Sequence, residues 1–222
     1  MQNFFLSLVL FFFSSASKSD KMIRLGSPSP YILSAPHGSF DLNTGHIVQE
    51  TCAALPQWGC IVVTGYRTRK IPINVNRPTE GISLPPNQEP RTPAAEAAYR
   101  QYLSSIKAIS HSPKWYIEIH GNGRKKSASF IEIATIGLSI EQSKKIALTW
   151  TPLLHIHGLS EYTLLIEPLH KVHFSAEASK EFGSLSQFQP TLHIELPEAL
   201  RFEKQEATVQ FLQKALSVLP ML

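Results

Sequence analysis

Six short apolar runs, at 31–34, 60–64, 115–119, 130–135, 162–166 and 192–196, alternate with longer stretches whose apolar residues recur at helical spacing. Each run is too short for a buried helix and is bounded by Pro, Gly or polar residues, which is the signature of a strand inside a sheet. Helices are predicted over about 45–55, 94–110, 140–151 and 204–218. In the first of them Ile47, Val48, Thr51 and Leu55 fall on one face. Asn43 or Thr44 is placed to cap that helix, and Thr92 with Pro93 to open the second. Strands alternating with helices predict an α/β fold, a three-layer α/β/α sandwich around a central mixed, largely parallel sheet.

At 222 residues and 43% hydrophobic content the chain suffices for one core of domain size. A single domain over 18–222 is expected, with no internal repeat and no low-complexity tract. The stretch 67–93 holds six prolines and reads as mostly loop, the kind of segment that carries function in a compact domain.

Residues 4–13 are continuously apolar apart from Ser7, too few to span a bilayer as a helix, and Ser14 to Ser17 are small. That order predicts a signal peptide over 1–17, cleaved near Ala16 or Ser17, and a mature chain that is secreted or periplasmic with no stable membrane association. A retained anchor is the alternative, because only the chain's amino terminus is positive ahead of the apolar run. Cys52 and Cys60, eight positions apart, can form a disulfide in such a compartment or remain two buried thiols.

The net charge of +4 contains no long basic block, the longest run being Arg124, Lys125 and Lys126. This excludes the usual footprint of a nucleic-acid binder. No G-x-S-x-G elbow occurs, so the His120 to Gly123 stretch HGNG has no serine nucleophile to serve. Ser104 and Lys107 share the spacing of a Ser–Lys pair but fall in a helix suited to packing. His155 with His157, and His170 with His173, lack an acidic companion and read as surface or core histidines.

In an open α/β sheet, ligands gather beyond the carboxyl ends of strands. Three such ends carry chemistry here: His37 with Asp41, His120, and Glu195. Two imidazoles and a carboxylate are the donor set of a catalytic zinc that keeps one position open for water. A further carboxylate, Glu195, inside the apolar run LHIEL, needs a partner or a task. Glu118 and Glu132, also within apolar runs, are reserve acids. Against these stand plainer readings: a turn at His37, capping by Asp41, a satisfied core histidine at 120, and an ion pair of Glu195 with Arg201.

Four segments, SAPHGSFDLNT at 34–44, INVNRP at 73–78, WYIEIHGN at 115–122 and LHIELPEALR at 192–201, resemble in order the blocks of the N-formylglutamate amidohydrolase family. That family is similar to zinc carboxypeptidases, aspartoacylases and phage poly-γ-glutamate hydrolases. The resemblance covers most of the mature chain. It implies a zinc carboxypeptidase-like fold and one Zn2+ ion held by His37, Asp41 and His120, although the His37–Asp41 spacing is four rather than three. Glu195 matches the catalytic glutamate. Asn76 and Arg77 match residues that grip a substrate carboxylate or polarise its carbonyl, a task that suits a planar guanidinium fork. Asn74 stands where relatives often carry aspartate, which separates this chain from the commoner pattern. The activity implied is zinc-dependent cleavage of an amide bond in an anionic small molecule or peptide. A non-catalytic module of the same fold that recognises a peptide or cell-wall fragment is the alternative.

Overall fold

Burial sorts the strand residues by parity. In the computed structural model, which describes residues 22–82 and 84–221, strands β1 (Met22–Leu25), β2 (Tyr31–Ala35), β3 (Gly59–Val63), β6 (Trp115–Asn122), β7 (Phe130–Ile136), β8 (Thr163–Ile166) and β9 (Thr191–Pro197) form one sheet. Its order is β1-β3-β2-β6-β9-β7-β8. The β3/β2, β2/β6, β6/β9 and β7/β8 ladders are parallel, and β1/β3 and β9/β7 are antiparallel. The sheet is therefore mixed and mostly parallel, as the alternation of runs predicts. The proposed signal segment, 1–17, lies outside the described residues.

On one face, Leu33, Val62, Ile117, Ile119, Ile133, Ile194 and Leu196 are buried against helices α1 (Thr44–Ala53), α3 (Ile140–Ile156) and α6 (Gln205–Val218). Because successive strand side chains point to opposite faces, the intervening residues face the other way. There Ile32, Ile61, Val63 and Tyr116 cluster with Ala95, Ala98, Tyr102 and Ile106 of α2 (Pro93–Ile109). Toward the carboxyl ends of β2, β6 and β9 this second face turns polar: Ser34, Glu118, His120, His193 and Glu195 are all buried.

The Pro-rich stretch 67–93 is largely irregular, but it contains a two-stranded hairpin, β4 (Ile73–Asn74) with β5 (Thr79–Glu80). Its centre is the Glu89 carboxylate, which accepts from Arg77, Thr79 and Asn74. The predicted capping holds at α2, where the Thr92 hydroxyl accepts from the Ala95 amide. It fails at α1. Asn43 there adopts a left-handed φ of 68° with no side-chain cap, and the Thr44 hydroxyl donates instead to the Asp41 carbonyl. Helix α3 passes through Pro152 to Ile156, beyond its expected end, because Leu154 stays on the buried face with Ile146 and Trp150. Two short helices, α4 (Glu177–Phe182) and α5 (Glu198–Arg201), and strand β1 were not legible as periodic runs.

Cys52 on α1 and Cys60 on β3 are joined as a disulfide, with Cα atoms 6.3 Å apart. Closing so short a loop restricts the unfolded chain and is worth about 2–3 kcal/mol. The double substitution Cys52→Ala/Cys60→Ala is expected to lower unfolding free energy by that amount in urea titrations, and an unchanged midpoint would mean that the sulfurs are not paired in solution.

Candidate metal centre

His37 and Asp41 sit on the loop that leaves β2, and the turn is short enough that the Asp41 and Phe40 amides both bond back to the His37 carbonyl. Ladder register brings the other groups alongside. His120 on β6 is opposite Glu195 on β9, and Glu118 is opposite His193. Paired positions on adjacent strands are about 5 Å apart, so the four side chains form a square on one face. His120 was expected on a loop. The strand instead continues to Asn122, so the backbone that carries the imidazole is held in the ladder with β9.

Three of the sequence-predicted residues converge. One ligand atom each from His37, Asp41 and His120 lies within 4.8 Å of the others. Asp41 Oδ2 is 3.5 Å from His37 Nδ1 and 3.2 Å from His120 Nδ1. Donor atoms around a tetrahedral zinc, each about 2.0–2.1 Å from the ion, are themselves about 3.3 Å apart, so the spacing fits such an ion. All three side chains are buried.

Their protonation fits as well. Burial, and then the Arg67 charge, lowers the His37 pKa to about 3, so the ring is neutral and has a lone pair to give. Burial also opposes charge on His120, but hydrogen bonds to Asp41 and Glu118 outweigh it and raise that pKa to about 9. The same bonds from His120 and His37 hold the Asp41 carboxyl below the usual carboxylate range despite its burial. A proton on His120 Nδ1 thus occupies the position a metal would take, and a metal bound there would have to displace it.

Glu118, a reserve acid in the sequence reading, is fully buried and orients His120 by accepting from its Nε2 at 2.9 Å. This is the carboxylate–histidine arrangement that fixes the tautomer of a metal ligand. Glu118 also accepts from Tyr116 at 2.5 Å, from Ser184, and from Asn76 Nδ2 at 3.1 Å. A second group of possible ligands, Glu118, His120 and His193, shares His120. With the Glu118 oxygens already satisfied, its role is support. The His193 ring stacks on His120 with centroids 4.0 Å apart and its Nε2 meets Glu195 Oε1 at 2.9 Å. Glu195 Oε2 has no hydrogen-bond partner among the described residues.

The site opens into a cleft of about 740 Å³ lined also by Phe40, Arg67, Arg77, Glu89, Arg124 and Phe174. Asn76 and Arg77 are among its lining residues, but the bidentate edge of Arg77 is filled by Glu89, at 2.8 and 2.7 Å. The cation beside the ligands is Arg67, whose Nη1 is 3.1 Å from His37 Nδ1 and whose guanidinium lies over the Phe40 ring. Arg67 has a left-handed φ of 55°, a strained backbone for a non-glycine residue. Glu118 stands in the sequence reading as a reserve acid, and period two could have found His193, two residues before Glu195. Arg67 lies in irregular chain and left no periodic signal.

No family model matches the sequence, and no curated protein matches it. Solved structures do. A metallo-carboxypeptidase from Burkholderia cenocepacia is 13% identical over 90% of this chain and 60% of that one, with a TM-score of 0.51. The chain has the zinc carboxypeptidase-like fold. A zinc-free form of YndL is 10% identical over 88% of each chain, with a TM-score of 0.52. The tripeptide-bound cell shape determinant Csd4 of Helicobacter pylori is 13% identical over 90% of this chain and 55% of that one, with a TM-score of 0.52. The chain therefore spans little more than half the length of two of these proteins, and the likeness is one of fold.

Glu118 gives the first test of the site. Glu118→Gln places an amide N–H against the donors that the carboxylate accepts, so zinc affinity measured by calorimetric titration is expected to fall about 10–100-fold. Undiminished affinity in that variant would remove the orienting role.

Proposed function

We propose that the protein is a zinc-dependent hydrolase of the N-formylglutamate amidohydrolase kind, cleaving an amide bond in an N-acyl amino acid, a γ-glutamyl compound or a peptide that carries a carboxylate. One observation supports it above the others: three buried donors of zinc-type chemistry meet at a point beside a carboxylate oxygen, Glu195 Oε2, that has no partner.

When bound, zinc supplies a Lewis acid and a water nucleophile that is reactive near neutral pH. His37, Asp41 and His120 would hold it, and Glu118 accepts from the Nε2 of His120 and fixes that ring from behind. Glu195 is the proton carrier. Its Oε1 is anchored by His193, which leaves Oε2 to take a proton from attacking water and return it to the departing amine nitrogen. Arg67 Nη1 lies 3.1 Å from His37 Nδ1; were His37 engaged with a metal, that donor would be free for the carbonyl oxygen on which charge develops. Arg77, paired with Glu89, shapes the wall of the cleft.

An anionic substrate is supported by the cations that face the cleft. Arg67 and Arg124 are without ion pairs among the described residues, and Arg124 lies 3.9 Å over the Phe174 ring. The disulfide supports export to an oxidising compartment.

The test is hydrolysis of N-acyl amino acids, γ-glutamyl dipeptides and short peptides by the purified protein, with zinc and after complete chelation. Zinc-loaded protein is expected to cleave at least one class, and chelation to abolish turnover; hydrolysis that survives metal removal would end this reading. Zinc uptake with no cleavage of any class would instead assign the chain to the binding modules. Glu195→Gln is expected to retain zinc and lose about 100- to 10,000-fold in kcat, the usual contribution of a general acid–base group.

A further inference from the structure

Arg201 is a buried cation without a carboxylate. It is 6% exposed, and among the described residues it makes no ion pair, with Glu195 or any other acid. It is also absent from the lining of the cleft, so it is not placed to meet substrate. Burying a guanidinium is costly unless its donors are satisfied. Here, among the described residues, its hydrogen bonds all go to main-chain carbonyls, and its Cζ lies 5.7 Å from the centre of the Phe202 ring.

The three carbonyls are the point. Nη1 donates to Leu42 O at 2.7 Å, Nη2 to Asn122 O at 3.2 Å and Nε to Leu196 O at 3.3 Å. Leu42 follows Asp41, Asn122 is two residues beyond His120, and Leu196 follows Glu195. One guanidinium therefore ties together the carboxyl ends of the three segments that carry the ligands and the proton carrier. The tie is returned, because Asn43 Nδ2 donates to the Arg201 carbonyl at 2.9 Å. It is also closely fitted. A Cβ on Gly121 would lie 2.6 Å from both Cζ and Nε of Arg201, nearer than such atoms approach.

We infer that Arg201 is a positioning residue, a clamp behind the metal centre that sets the spacing of Asp41, His120 and Glu195 by holding the chain next to each. The inference rests on the proposed function for what the spacing serves, but the clamp itself is a property of the chain. A flat fork with five donors can serve three carbonyls at once, which an ammonium on a flexible stem cannot do with the same geometry. The hydrophobic packing of α5 and α6 would hold these segments near one another without it. The β6/β9 ladder already sets His120 against Glu195; what the shared donor adds is the separation of the Asp41 loop from both strands, to the fraction of an ångström that a ligand set requires.

The experiment uses the full mature chain and two variants that injure the clamp from opposite sides, Arg201→Met and Gly121→Ala. Zn2+ affinity is measured by calorimetry, and amide hydrogen exchange is followed at 38–44 and 121–124, with 140–156 of α3 as the internal reference. Both variants are expected to unfold cooperatively, to lose about 10–100-fold in zinc affinity, as for the loss of other outer supports of a metal site, and to exchange faster in the two loops while α3 is unchanged. Arg201→Lys is expected to recover part of the affinity. Folded variants with unaltered affinity and exchange would overturn the clamp, and so would faster exchange spread evenly through α3. Should Arg201→Met fail to fold, Gly121→Ala decides alone. Should the wild-type chain bind no zinc, the metal reading falls by itself and loop exchange still decides the clamp.

Discussion

A carboxylate sealed from water in the middle of a sheet sets the terms for everything around it. Glu118 is fully buried, and an anion there is tolerated only if hydrogen bonds replace its hydration. They come from every direction: Tyr116 on its own strand, Ser184 after α4, Asn76 from the Pro-rich stretch, and His120 toward the cleft. Burial opposes the charge, but hydrogen bonds to His120 and His193, with the charges of those rings, outweigh it and hold the carboxyl well below the ordinary carboxylate range. The phenol chain extends outward from Tyr116 to Tyr102 on α2 and on to Ser34 on β2, at 2.8 and 2.6 Å. Burial, reinforced by the charge of Glu118, keeps both phenols protonated. The polar network thus fixes α2, the hairpin segment and the 184 turn relative to the strands, and the ring of His120 inherits that rigidity.

The two faces of the sheet divide the work. The face toward α1, α3 and α6 is a continuous apolar core with Trp150, Phe211 and the β6 and β9 isoleucines and leucines fully or nearly fully buried. It supplies the stability that the other face gives up by burying Glu118, Glu132 and Glu195 in its strands. Alternation along a strand makes the arrangement possible: Ile117 and Ile119 anchor β6 on one side while Glu118 and His120 stand on the other. A slip of one residue would exchange the two sets, so the apolar face also specifies the register of the chemical one.

That coupling explains what the sequence made legible. Strand parity, read with the family-like blocks, was enough to bring His37, Asp41, His120 and Glu195 into consideration, and the sheet places them as neighbours. Glu118 entered only as a reserve acid, and His193 would have joined it had the same parity been carried two residues back from Glu195. What it could not yield is arginine assignment. Arg77 carries the motif, but its fork is claimed by Glu89, twelve residues on and across irregular chain with no period to relate them. Arg67 and Arg201 have the opposite history. Neither stands out by type or spacing, and both acquire meaning from carbonyl or imidazole partners distant in sequence, such as Leu42, 159 residues from Arg201. Long side chains ending in several donors are the least predictable part of a site for this reason: their reach lets partners far along the chain decide where they go.

Charge around His120 favours the metal proposed for this centre. Around His120 stand Asp41, Glu118 and Glu195, while His37 is kept neutral by burial and by Arg67. The proton on His120 only partly offsets these carboxylates, and it sits between two of them. A divalent ion among the Asp41, His37 and His120 atoms would replace that single positive charge by two while keeping the Nε2–Glu118 bond intact. The set is therefore better balanced with a metal than with a proton, and Arg201, a cation placed behind the loops rather than in the cleft, does not compete with it for the carboxylates.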